Sequence, residues 1–90
     1  MKLEKSTRDG KKYMVKYDGA TIHFGQLGAS DYTINKNPKQ KQAYISRHQK
    51  RENWTKSGIK TAGFWSRWIL WNQPISPSAN MKLVMNKFHL

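Results

Sequence analysis

The sequence of 90 residues contains no cysteine, and it is poor in acidic side chains. Disulfide bonds and thiolate metal sites are therefore excluded. Only five Asp and Glu residues stand against 17 Lys and Arg residues. Hydrolases and metal nucleases need paired carboxylates or histidine clusters to hold a metal ion and activate water. Neither is visible in the sequence, so we expect no enzyme, no catalytic residue, no metal site and no cofactor.

Long hydrophobic runs are also absent. The most apolar segment, residues 64–71, contains Arg67 and is far shorter than the roughly 20 residues that a membrane-spanning helix needs. Residues 1–10 contain charged side chains and no apolar run, so they do not form a signal peptide. We expect no transmembrane segment. A peripheral contact with an anionic membrane would require an exposed tryptophan stripe, and we do not expect one.

Positive charge is what the chain has in excess. Its net charge is +12, which informs about partners and not about the fold. Residues 36–60 contain eight basic residues and one acidic residue, Glu52, a net charge of +7. This block could contact nucleic acid or an acidic protein, or it could be an ordinary solvated face. We expect an anionic partner to contact Trp54, whose ring lies outside the predicted helices, and the basic residues Lys36, Lys39, Arg47, Lys50, Arg51, Lys56 and Lys60.

Residues 13–26 have the pattern of a β-hairpin. Asp18-Gly19 separates two alternating segments, and this dipeptide favours a type I′ turn because both central residues need positive φ. A hairpin alone is marginally stable in water, so another part of the chain must cover its apolar face. The predicted register places three pairs on that face: Tyr13 with Phe24, Val15 with Ile22, and Tyr17 with Ala20.

Three helices are predicted after the hairpin. Asn37 caps the first, which begins at Pro38 and runs to about residue 52. Thr61 caps the second, residues 62–72, which is apolar on nearly all sides and is therefore expected to be buried. Ser78 caps the third. Residues 32–34 fit a third short strand. The expected structural core consists of Tyr13, Val15, Ile22, Phe24, Phe64, Trp65, Trp68 and Trp71.

These elements predict one small α+β domain. An N-terminal antiparallel hairpin, extended by the third short strand, packs against two or three short helices. Residues 1–10 form a flexible basic N-terminus. Residues 11–90 form the domain and end in a helical tail of about residues 78–90. An apolar protein contact is expected to use that tail, in particular residues 81–90.

Three stretches of unusual wording lie within residues 23–74: HFGQLGASDYT from His23, YISRH from Tyr44, and ENWTKSGIKTAGFWSRWILWNQP from Glu52. Together they resemble a family of small basic proteins of unknown function encoded by nucleocytoplasmic large DNA viruses. The resemblance implies a virus-encoded protein, and it brings no established activity and no catalytic residues. Residues 1–10 and the last predicted helix lie outside it.

Two classes of function remain. We favour a non-enzymatic viral structural protein, a virion or minor capsid (cement) component that binds larger acidic or capsid proteins. The alternative is a sequence-nonspecific nucleic-acid-binding protein that coats or condenses viral DNA. The net charge of +12 serves both classes. The expected location is the virion, with the host cytoplasm or nucleus occupied during assembly.

Overall fold

Three antiparallel strands begin the structure, a computed structural model that describes residues 1–90. Strand β1 is Glu4–Lys5, β2 is Lys11–Tyr17 and β3 is Ala20–Gln26, and they lie in the order β1-β2-β3. The predicted hairpin of β2 and β3 is present with the predicted register, including Tyr13 opposite Phe24. Both turn residues have positive φ, 49° and 78°, as a type I′ turn requires.

The third strand does not lie where the sequence suggested. Residues 32–34 belong to helix α1, Tyr32–Asn35, and the prediction of a strand there is wrong. Asp31 caps this helix by accepting a hydrogen bond from the Thr33 backbone N–H at 2.9 Å, and the cap outweighs the strand preference of the following side chains. The third strand is instead β1, which pairs with β2.

Residues 1–10 thus contribute to the sheet. The Ser6 hydroxyl lies 2.8 Å from His23 Nδ1 on β3. The Thr7 hydroxyl lies 3.8 Å from the sulfur of Met14, which is buried on β2. The N-terminal segment therefore covers part of the hairpin face opposite the helices. Its flexibility stays a prediction.

Four helices follow the hairpin, and two of the three predicted caps are confirmed. Asn37 caps α2 (Pro38–His48) by accepting from the Lys39 backbone N–H at 2.9 Å, and Thr61 caps α3 (Ala62–Trp65) by accepting from that of Phe64 at 3.3 Å. The last helix begins two residues earlier than predicted, because Ser76 and not Ser78 is its cap and Pro77 occupies its first position. Helix α2 ends at residue 48, not near 52. The remaining helical elements are α2 (Pro38–His48), a 3-10 turn (Lys56–Gly58), α3 (Ala62–Trp65), a π-helical turn (Ser66–Leu70) and α4 (Pro77–Phe88).

The core lies between the apolar face of the hairpin and the segment formed by α3 and the π-helical turn. Phe24 and Trp65 are fully buried, with ring centroids 6.4 Å apart. The indole N–H of Trp65 donates to the Ile59 carbonyl at 2.7 Å, so its polar atom is satisfied inside the core. The hairpin therefore packs against helices, as the predicted α+β fold requires. Of the eight residues expected in the core, Val15, Ile22, Phe24, Phe64 and Trp65 are buried, and Tyr13, Trp68 and Trp71 are half-buried.

Helix α4 closes the core from the other side. Met81 and Val84 are buried in the same cluster as Phe24 and Trp65, and Phe88 packs against that cluster. The C-terminal segment is thus part of the domain's own core. The expectation that residues 81–90 supply an apolar partner contact is therefore wrong for Met81, Val84 and Phe88. None of the helices combines the length and the apolar character that crossing a bilayer requires.

Candidate anionic-partner interface

The predicted contact cations all lie at the surface. Lys39 and Arg47 are on α2, Lys50 and Arg51 follow its end, and each of these side chains is exposed. Within this set only Lys60 has an acidic partner, Asp18 of the hairpin turn, at 3.1 Å, and both of these side chains are themselves exposed. An exposed pair of this kind contributes little stability. The remaining six cations, which include Lys36 and Lys56, form no salt bridge.

Helix α2 presents this charge to solvent because its other face packs against the rest of the domain. Tyr44 is 6 % exposed and stacks on Trp71, with centroids 4.6 Å apart and an interplanar angle of 5°. The Lys41 ammonium donates to the Asn72 carbonyl at 2.5 Å. Burial lowers the pKa of Lys41, and the nearby charge of Arg67 lowers it further. Lys41 therefore attaches α2 to the domain, whereas Lys39 and Arg47 point to solvent.

Trp54 also belongs to the contacts that attach α2 to the domain. Its ring is half-buried, 6.2 Å from Tyr44 and nearly parallel to it. The Arg67 guanidinium lies 5.4 Å from the ring centroid, within cation–π range. The Trp54 carbonyl accepts from the Trp68 indole N–H at 2.9 Å. Trp54 is thus engaged in internal packing, unlike the seven exposed cations with which it was grouped.

Arg67 has a structural role that was not predicted from its place in the sequence. It lies between Trp54 and Trp68, and one of its N–H groups donates to the Trp71 carbonyl at 2.8 Å. Burial lowers the pKa of its guanidinium. Its Nε is buried without a hydrogen-bond partner. A charged residue inside an otherwise apolar segment was the available signal, and the structure shows that it ties the three tryptophans together.

The one close pair of titratable side chains that could suggest acid–base chemistry is His48 and Glu52. His48 Nδ1 lies 3.2 Å from Glu52 Oε2, beside a cavity of about 340 Å³ that is also lined by Tyr44 and Ser66. Burial raises the pKa of Tyr44, and the charge of Glu52 raises it further. No three His, Asp or Glu side chains come together in a way that could hold a metal ion. The His48 ring also stacks on the Tyr44 ring, with centroids 4.4 Å apart. The pair therefore belongs to the contacts that attach α2 to the domain.

A second surface feature is an open groove of about 690 Å³, which we call the Leu27 groove. It lies where β1 and β2 meet the segment after β3, α1 and the start of α4. Leu27, Ile34 and Ile75 line it with 62 %, 63 % and 39 % of their surface exposed. Sequence analysis missed this groove. Its apolar side chains are isolated in the sequence, so no periodic pattern links them.

A family model matches the first half of the chain. Residues 1–48 match the Family of unknown function (DUF5754). No curated protein and no solved structure matches this chain. The matched region includes residues 1–10, which lay outside the resemblance seen in the sequence, and it ends before the tryptophan-rich stretch on which that resemblance largely rested. The membership in a family of unknown function expected from the sequence is thereby confirmed. With more than half of its length matched, the chain belongs to the Family of unknown function (DUF5754).

Proposed function

We propose that this chain is a non-enzymatic structural protein of a large DNA virus, a small virion or minor capsid component that binds an acidic surface of a larger protein. The observation that carries the proposal is the exposed basic surface on and around α2. Six of its seven cations form no salt bridge, and the 25 residues that contain them include a single acid, Glu52. Natural surfaces usually mix the two signs of charge. A surface of one sign fits an acidic partner.

The aromatic side chains favour a protein partner over single-stranded nucleic acid. Proteins that bind single strands stack bases on accessible aromatic rings. Here the tryptophans are buried or half-buried, and Trp54 already packs against Tyr44 and Arg67. The large apolar side chains that are exposed are aliphatic: Met1, Leu27, Ile34, Ile75 and Leu83. Aliphatic contacts are typical of protein interfaces and offer no stacking platform for bases.

The viral part of the proposal rests on the resemblance described above, in particular on the tryptophan-rich wording of residues 52–74. The virion is the location that suits a small basic protein binding larger acidic or capsid proteins, with the host cytoplasm or nucleus as the site of assembly. The non-enzymatic part rests on the lack of paired carboxylates in the sequence and on the role of His48 in attaching α2 to the domain.

A sequence-nonspecific protein that coats or condenses viral DNA is the alternative. The net charge of +12 supports it, because phosphate neutralisation by Lys and Arg drives nonspecific binding to duplex DNA. The two functions differ in where the protein resides in a particle.

Fractionation of purified virus particles tests the proposal. The shells are opened with mild detergent, the genome is digested with nuclease, and the chain is followed with an antibody at about 0.15 M salt, where close contacts between opposite charges are only partly screened. The proposal predicts that the chain sediments with the shell proteins. Release together with the digested genome, or absence from the particles, would contradict it.

A further inference from the structure

We infer that the Leu27 groove is a docking site for an apolar segment of the partner protein that is flanked by acidic residues. This inference rests on the proposed function. The groove would supply the apolar part of the contact with the partner protein, which the basic surface does not supply. The basic surface around α2 explains attraction to an acidic protein. The groove would give that attraction a defined position.

Exposed apolar side chains cluster in the Leu27 groove. Five large hydrophobic residues of the chain are exposed, and three of them, Leu27, Ile34 and Ile75, line this one groove. Single exposed apolar side chains are ordinary, and here three of them line one recess, where a single ligand segment can cover them together. The domain's other apolar side chains are largely packed inside, so this group is not needed for the domain's own core.

The charge of the groove is the argument for acidic flanks. Lys5 and Lys36 lie among its lining residues, and both side chains are exposed and free of salt bridges. The only acidic lining residue is Asp31, which is 2 % exposed. Asp31 is neutralised by Lys12, whose ammonium lies 2.6 Å from its carboxylate. The groove therefore offers an apolar floor and a rim of unpaired positive charge, and carboxylates beside an apolar segment complement both.

The groove also has a fixed shape. Its side nearest α4 is the bend from Gln73 to Pro77, which is held because the buried Asn80 amide donates to the Gln73 carbonyl at 3.1 Å. Its lining also includes Thr33 and Ile34 of α1, whose start is held by the hydrogen bonds of Asp31 to Lys12 and to the Thr33 backbone. A recess between two fixed walls requires little reorganisation on binding. It accepts a protruding segment of a protein better than the flat surface of a bilayer.

The test is selection of peptides from a displayed random library on the immobilised full chain, at about 0.3 M salt so that purely ionic contacts are weakened. The inference predicts enrichment of peptides with two or three neighbouring aliphatic residues beside Asp or Glu. Synthetic copies are then titrated against the wild-type chain and against variants. Leu27→Ser and Ile34→Ser should each weaken binding about ten-fold or more, because each removes a side chain buried by the ligand. Leu83→Ser, at an exposed leucine on α4, is the matched control and should leave binding unchanged.

Charge is tested with a second matched pair. Lys5→Glu should weaken binding of the acidic peptides, whereas Lys82→Glu, at an exposed lysine of α4 that does not line the groove, should not. Exposed positions were chosen for all these variants so that the fold is retained, and circular dichroism verifies it. The other possible occupant, a lipid surface, is tested with vesicles of phosphatidylserine and phosphatidylcholine.

Four outcomes would overturn the inference. One is the absence of any enriched peptide. Another is enrichment of peptides whose binding is insensitive to Leu27→Ser and Ile34→Ser. The third is that Leu27→Ser and Ile34→Ser weaken binding to vesicles while they weaken binding to no peptide. Acidic peptides that lose binding only on combined charge reversal at Lys39, Arg47 and Lys50 would refute the groove and leave the proposed function standing.

Discussion

Asn80 joins α4 to the rest of the domain, and its replacement tests how the core and the groove are held together. The side chain is fully buried on a helix where sequence reasoning marked only apolar positions. Its amide donates to the Ile69 carbonyl at 2.8 Å and to the Gln73 carbonyl at 3.1 Å. The first acceptor lies in the π-helical turn and the second begins the bend that borders the groove. Asn80→Ala removes both hydrogen bonds.

The expected loss follows from these two bonds. Each contributes about 0.5–1.5 kcal/mol net, and a buried carbonyl left without a donor adds a desolvation cost of about 1–3 kcal/mol. These contributions total about 2–6 kcal/mol. The substitution also removes Asn80 Oδ1, which is buried without a hydrogen-bond partner, so we expect Asn80→Ala to lower the free energy of unfolding by about 2–4 kcal/mol. A domain of 90 residues has roughly 5–13 kcal/mol in total. At about 4–8 °C per kcal/mol, the melting temperature should fall by roughly 8–32 °C.

Thermal melting followed by circular dichroism measures this effect, with Asn86→Ala as the control because Asn86 is exposed on the same helix. Asn80→Asp adds a dependence on pH. The introduced carboxyl can donate to Ile69 only when protonated, and burial should raise its folded pKa above the unfolded value of about 3.9. Its deficit against wild type should thus be smallest below about pH 4 and grow as pH rises through the folded pKa. Equal melting of Asn80→Ala and Asn86→Ala would refute the reasoning.

Two further predictions concern close packing and titration. A Cβ at Gly58 would clash with the backbone carbonyl oxygen of Asn53, whereas a Cβ at Gly63 would clash with Glu52 Oε1, the end of a flexible side chain that can move away. Gly58→Ala should therefore cost about 1–3 kcal/mol in urea unfolding and Gly63→Ala less than about 1, and equal midpoints would contradict this. Because burial raises the pKa of Tyr44, the wild type loses stability as pH rises above the unfolded tyrosine value of about 10. Tyr44→Phe should melt at the same temperature as wild type at pH 7 and at a higher temperature than wild type at pH 11. If the difference in melting temperature between variant and wild type is the same at both pH values, the phenol is not buried.

The features that the sequence predicted well depend on neighbouring residues. The Asp18-Gly19 turn determines the register of the hairpin, because its two positive φ values fit only one arrangement of the flanking strands. Asn37 and Pro38 likewise determine where α2 begins. In each case the physical cause lies within a few residues of its effect.

The features that were missed depend on contacts between distant segments. Strand β1 consists of Glu4 and Lys5, which have weak strand preference and pair only because β2 offers a free edge. Residues 32–34 have strand-forming side chains, and the decisive signal for a helix was the capping Asp31. The exposure of the basic residues followed from their charge. The Leu27 groove could not be predicted from the sequence, because its residues come together only once α1 and α4 are placed.

The most direct measurement for the central claim is titration of the isolated chain with duplex and single-stranded DNA. The account holds that the basic surface serves a protein partner. With a net charge of +12 the chain will bind DNA at low salt, but at about 0.15 M salt the screening length is near 8 Å and this binding should weaken to the micromolar range or beyond. A dedicated DNA-binding protein that neutralises about five phosphates would instead bind tightly with a log–log salt slope of roughly −4 to −5. Dissociation constants in the micromolar range at physiological salt are the predicted result. Binding tighter than about 100 nM, lost on charge reversal at Lys39, Arg47 and Lys50, would contradict the account in favour of nucleic-acid binding.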